Sequence, residues 1–234
     1  MKIAGLQKMT LLDFPGKVAC TVFLPGCNFR CPFCHNGQIL DNSVESAMEP
    51  EALLSFLKKR QGLLDGVCVT GGEPTLQPDL PAFLRSIKTL GYPVKLDTNG
   101  SNPQVLKALV AEHLVDYVAM DVKNSPEAYP LTTGNANLSL SPVQESLAFL
   151  LEDHVDYELR TTVVAELHSP EHIAEMGKWV QTVALGKKAK KWFLQFFVAR
   201  DSVPDSRLSP PKDVQMFEYV EILTPYANKI EVRG

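Results

Sequence analysis

Residues 18–37 read VACTVFLPGCNFRCPFCHNG. The first seven are apolar or β-branched, the composition of a strand buried on both faces. The strand runs straight into a loop that carries Cys27, Cys31 and Cys34 in the spacing C-x3-C-x2-C. Three cysteines are too few to close a tetrahedral structural zinc site. They are also one short of the four thiolates that usually hold an iron–sulfur cluster. A loop built this way leaves one coordination position open.

Working outward, strand signals return at 66–70 (GVCVT), 94–97 (VKLD), 117–122 (YVAMDV), 157–164 (YELRTTVV), 192–198 (WFLQFFV) and 229–233 (KIEVR). Between them lie segments with helical spacing at 50–60, 78–91, 102–114, 141–154, 169–185 and 210–223. Three of the six begin Asn-Pro or Ser-Pro, a capping residue followed by proline at the first helical position. Regular alternation of this kind predicts βα units around parallel strands. No linker or composition shift divides the chain, so a single domain over 1–234 is expected. The stretches 123–139 and 198–211 read as loops, and KKAKK at 187–191 as a solvated basic turn.

Composition is that of an ordinary globular protein, with 45% hydrophobic and 21% charged residues among 234. A net charge of −4 gives no reason to expect a nucleic-acid partner. No apolar run has the length of a membrane span, and the first 17 residues lack the pattern of a signal peptide. The expectation is a cytoplasmic protein with no membrane partner. In that reducing compartment five cysteines, three of them clustered, point to metal or catalysis rather than disulfides. Cys20 and Cys68 sit in apolar runs and read as buried thiols.

Three more motifs follow strand signals directly: TGGEP at 70–74, DTNG at 97–100 and MDVK at 120–123. GGEP and DTNG, each alone, read as ordinary turns. Together with the cysteine loop they occupy the C-terminal ends of four successive strands, the edge where parallel α/β proteins bind ligands.

The cysteine spacing with an aromatic at Phe33, followed one strand later by GGEP, resembles the radical S-adenosylmethionine (SAM) superfamily. That resemblance implies a partial parallel (β/α)6 TIM-like barrel and an oxidoreductase with two cofactors, a 4Fe-4S cluster and SAM. Cys27, Cys31 and Cys34 would hold the cluster, and SAM would take the open iron and be cleaved reductively to methionine and a 5′-deoxyadenosyl radical. Residues 10–37, with DTNG and DVK, further resemble the longer activating proteins associated with anaerobic ribonucleoside-triphosphate reductase, relatives of the pyruvate formate-lyase activases. A glycyl radical enzyme would then be the partner, and a flavodoxin or ferredoxin the electron donor.

By the same resemblance Phe33 would lie against the adenine. Gly71, Gly72 and Glu73 would hold the methionine amino group. Asp97 and Thr98 would face the ribose, or share a monovalent cation with Asp121. Lys123 would reach the methionine carboxylate, with Arg160 a second candidate. From the residues alone, Asp97 and Asp121 have an alternative reading as caps, Lys123 as a solvated loop lysine and Arg160 as a structural ion-pair partner. Two other functions remain open: a small-molecule radical enzyme such as the 7-carboxy-7-deazaguanine synthase group, and a non-catalytic iron–sulfur or zinc module using His35.

Overall fold

The computed structural model describes residues 1–233. The chain divides into two compact units. Unit 1 is Met1–Asn28, Gln38–Thr98 and Asn102–Ala119; unit 2 is Phe29–Gly37, Asn99–Ser101 and everything from Met120 onward.

Unit 1 contains β1 (Gly5–Thr10), β2 (Ala19–Leu24), β3 (Gly66–Gly71) and β4 (Val94–Thr98). Its helices are α1 (Pro50–Lys59), α2 (Leu80–Thr89) and α3 (Pro103–Ala111). β2, β3 and β4 pair in parallel, with Thr21 opposite Cys68 and Cys68 opposite Lys95. All of β4, and β2 apart from Phe23, is buried, as expected for strands covered on both faces. The helices bury the apolar stripe that their spacing predicts: Leu53 and Leu57 in α1, and Leu80, Phe83, Leu84 and Ile87 in α2. β1 has no counterpart in the expected strands. It lies antiparallel to β2 with Gln7, Lys8 and Met9 exposed, so its run lacks the apolar signal that marks the others.

β5 (Tyr117–Asp121) begins in unit 1 and ends in unit 2. Unit 2 continues with α4 (Tyr129–Thr132), α5 (Ser141–Leu151), β6 (Asp156–Val163), α6 (Pro170–Val183), β7 (Trp192–Phe196), α7 (Asp213–Leu223) and β8 (Ile230–Arg233). β6, β7 and β8 pair in parallel, with Arg160 opposite Phe193. Trp192 is fully buried and donates its indole N–H to Thr161 Oγ1 at 3.0 Å; Thr161 in turn donates to the Val122 carbonyl at 2.7 Å. That relay satisfies the polar atoms that burial of a tryptophan and a threonine would otherwise leave unpaired.

Of the expected Asn-Pro and Ser-Pro caps, Ser169 works as one, accepting from the His172 amide at 3.2 Å. Asn102 instead donates its amide to the Thr75 carbonyl at 2.9 Å, and Ser141 lies inside α5 rather than before it. The short α4 falls within 123–139, which the sequence presents as irregular.

Candidate active site

In unit 1 the chain leaves β2 at Leu24 and turns through Pro25 and Gly26 to Cys27. The backbone after β3 is bonded along this turn. The Gly72 amide donates to Leu24 O at 2.9 Å, and the Glu73 amide to Gly26 O at 2.7 Å. The Cys27 amide donates to Leu40 O at 2.9 Å, and Gln77 Nε2 to Pro25 O at 2.6 Å. A Cβ at Gly72 would stand 2.1 Å from Gly26 O and 3.2 Å from Cys27 Cβ. Gly71 has φ +129°, and a Cβ there would meet Leu24 O at 2.1 Å. Both glycines are therefore required by close backbone approach, and that approach fixes the turn that carries the chain from Leu24 to Cys27.

Glu73 is fully buried. Its Oε1 accepts from the Thr75 amide at 3.1 Å, from Thr75 Oγ1 at 2.5 Å and from Thr98 Oγ1 at 2.8 Å. Thr98 thus reaches Glu73 across β4 and the loop after β3. One residue earlier, Asp97 is ion-paired with Lys95, with Cys68 Sγ 3.7 Å from Asp97 Oδ1. Lys95 is 1% exposed and was not among the expected site residues. A signal for it existed: Lys95 and Asp97 stand two apart in a strand and so share one face. Cys20 and Cys68 are both buried, and burial pushes the Cys20 thiol up to about 12.

In unit 2 the Cys34 amide donates to Cys31 O at 3.1 Å, a turn that sets the two cysteines. Flanking bonds hold this segment: Arg30 N–H to Thr133 O at 2.8 Å, and Asp205 N–H to Pro32 O at 3.0 Å. Cys31 is buried and Cys34 half-buried. Burial raises the Cys34 thiol, an effect opposed by the Lys123 charge. Lys123 Nζ stands 5.8 Å from the centroid of the Phe33 ring, a cation–π arrangement.

Asp121, at the end of β5, accepts from Lys123 Nζ at 2.8 Å and from Arg160 Nε at 3.0 Å. Three of the expected residues thus meet in one ion-paired group, with Phe33 beside it. Burial would push Lys123 down, but the negative charge of Asp121 and of Cys31 holds it well above the ordinary lysine range. The Lys123 carbonyl meets His168 Nε2 at 2.9 Å, and the Val164 amide donates to His168 Nδ1 at 3.1 Å. Nδ1 also lies 3.2 Å from the Val164 carbonyl; with the amide donor nearer, the bonds favour a neutral imidazole protonated on Nε2. His168 carried no role in the sequence reading, because its 45-residue separation from Lys123 is invisible before folding. His35 bonds through Nε2 to Val198 O at 2.8 Å and stacks on Phe197.

None of the five cysteines is in a disulfide, and three soft thiols on one loop suit iron–sulfur ligation. The glycines pack the loop after β3 against the turn that carries Cys27. Among the described residues no helix is long and apolar enough to cross a membrane.

Comparison with known proteins bears on this arrangement directly. The description of the Radical SAM superfamily matches residues 21–180. A Methanocaldococcus jannaschii protein classed as a glycyl-radical enzyme activating enzyme is 29% identical over 239 residues, covering 99% of this chain and 95% of its own. A pyruvate formate-lyase-activating enzyme of Listeria monocytogenes is 25% identical over 194 residues, covering 78% and 77%. Among solved structures, Streptococcus suis SuiB bound to its precursor peptide SuiA aligns with TM-score 0.67 and 15% identity, over 95% of this chain and 50% of that one. The structural likeness bears out the α/β fold class expected from the sequence.

Proposed function

The chain belongs to the radical SAM superfamily, and from that premise we propose that it is an activase that generates a glycyl radical on a partner enzyme. The observation that carries this reading is the end-to-end likeness to the Methanocaldococcus jannaschii protein, which spans nearly the whole of both chains. Membership of the superfamily implies a 4Fe-4S cluster and SAM, which when bound together supply the electron and the hydrogen-abstracting radical.

The chain's own residues supply position and seclusion. Cys27, Cys31 and Cys34 would hold the cluster by their thiolates. The carbonyls of Gly71 and Gly72, with the Glu73 carboxylate, receive the ammonium group. Thr98 keeps Glu73 oriented through its 2.8 Å bond. Lys123 is charged at all working pH values and meets the methionine carboxylate, while Asp121 and Arg160 fix its position. Phe33 offers its face to the adenine. Residues 1–234 act together as one radical SAM domain.

The partner we propose is anaerobic ribonucleoside-triphosphate reductase, on the strength of residues 10–37, and the electron donor a flavodoxin or ferredoxin. The test is to mix cluster-loaded protein, SAM and reductant with that reductase under anoxia and record electron paramagnetic resonance spectra. A glycyl radical doublet on the reductase is expected. Turnover of SAM to methionine and 5′-deoxyadenosine with no protein radical, on this reductase or on pyruvate formate-lyase, would overturn the activase reading.

A further inference from the structure

Asp97 raises the question of what balances its charge. It is 9% exposed, and an ionised carboxylate at that depth needs a compensating partner. An alkali-metal ion is one solution, and the oxygen atoms of a strand end suit it chemically. The residues around Asp97 do not fit it. Lys95, two residues earlier on the same face of β4, extends its ammonium group onto Asp97 Oδ1. Water screens little of that charge: Lys95 is 1% exposed, and the buried Cys68 on β3 has its sulfur 3.9 Å from Nζ. A sodium or potassium ion on the same carboxylate would face the ammonium at close range, in a setting where like charges are poorly screened. Asp121, in unit 2, is likewise provided for, by Lys123 and Arg160.

We propose that Lys95 is a positioning residue that serves as a built-in monovalent cation, so that the Asp97–Thr98 segment works without sodium or potassium. The ammonium pins Asp97 at the end of β4. Thr98, the next residue, is thereby held where its hydroxyl meets Glu73. The inference rests on the reading that Asp97 and Thr98 face bound SAM.

The experiment uses cluster-loaded protein and needs no partner enzyme. Reductive cleavage of SAM is measured in sodium, potassium and choline chloride at equal ionic strength, and thermal midpoints are recorded in the same three salts. The native protein is expected to cleave at one rate and melt at one temperature in all three. Lys95→Met keeps the length of the side chain and removes its charge. In choline it should lose about tenfold or more in cleavage, the size of effect typical when support behind a ligand is removed. Sodium or potassium should restore part of that loss and raise the melting temperature of this variant alone. The double variant K95M/D97N, which removes both charges, should melt at the same temperature in all salts.

Native cleavage that collapses in choline would overturn the proposal. So would a Lys95→Met variant whose rate and melting both ignore the alkali metals. If Lys95→Met does not hold its cluster, the native salt series and the melting of the double variant still decide. Loss of the glycyl radical with salt-independent SAM cleavage intact would count against the activase reading and leave this inference standing.

Discussion

Lys123 Nζ lies 2.8 Å from Asp121 Oδ2, and Arg160 Nε holds the other carboxylate oxygen at 3.0 Å, so one acid serves two bases. Removing a base leaves the acid paired; removing the acid leaves two cations facing each other. Lys123→Met should therefore cost about 1 kcal/mol of stability and Asp121→Ala about 2 kcal/mol, since an uncompensated charge is what makes breaking a buried pair expensive. Side-chain exposures of 15% and 25% keep both figures below those of a fully buried pair. Both variants should retain the iron of the native protein and cleave SAM poorly. Urea denaturation under anoxia and chromatography of 5′-deoxyadenosine measure the two effects. A Lys123→Met variant that cleaves SAM at the native rate would remove Lys123 from the site.

The glycines make a sharper contrast. At Gly72 a methyl group would collide with the Gly26 carbonyl at 2.1 Å and crowd Cys27, and both neighbours are held by backbone bonds. At Gly5 the same methyl group meets only the Phe23 side chain at 3.6 Å, an ordinary contact. Gly72→Ala should displace the cysteine turn and lower the iron content, with a destabilisation of about 1–3 kcal/mol. Gly5→Ala should match the native protein in iron and in melting temperature. Equal iron in both variants would show that this packing does not position Cys27.

Most of this fold was legible because its strands and helices announce themselves by different periods. All seven expected strands and all six expected helices are present, with ends shifted by a few residues. β1 was hidden because an antiparallel edge strand with three consecutive exposed residues carries no buried run. The candidate site was legible where chemistry is local in the chain, as in the cysteine loop and the GGE motif. It was not legible where a residue matters through a distant neighbour. Lys95 belongs to no motif, although its spacing from Asp97 puts both on one face of the strand. His168 and Asn124 gave no hint. Asn124 ties the chain beyond β5 to Thr132 Oγ1 at 2.9 Å and Leu167 O at 2.8 Å, contacts that exist only after β6 and α4 are in place.

The five cysteines should separate by reactivity and by role. Cys20 and Cys68 are fully buried, and at pH 8 the Cys20 thiol, pushed up to about 12, has almost no thiolate. In cluster-free native protein, iodoacetamide should label Cys27 and Cys34 first, and Cys20 and Cys68 only after unfolding, as read by peptide mass spectrometry. Cys31→Ala should abolish iron binding, since two thiolates and a gap cannot hold the cluster. Cys68→Ala should keep the iron and lose about 1 kcal/mol of packing. Parallel loss of iron in the two variants would show that the division of the cysteines is mistaken.

The last prediction concerns pH. Burial lowers the pKa of His168 from its ordinary value of 6.5, against hydrogen bonds that raise it. The Val164 amide occupies Nδ1 and the Lys123 carbonyl takes the Nε2 proton, so the folded protein prefers the neutral ring. Below pH 6.5 the unfolded chain binds a proton that the folded chain resists. The stability due to His168 is therefore complete above that pH and is lost as pH falls toward the lower folded value. His35, also lowered by burial, acts with the same sign. Urea denaturation from pH 7.5 to 5.5 should show stability falling by up to about 1.4 kcal/mol per pH unit for each such group. The acids add little in that range, because their ordinary values lie lower. His168→Gln keeps a donor toward the Lys123 carbonyl but cannot titrate, so its profile should be shallower than the native one, leaving the share due to His35. Identical slopes in the two proteins would mean that His168 accepts its proton without cost when folded, and that the neutral tautomer does not hold Lys123 in place.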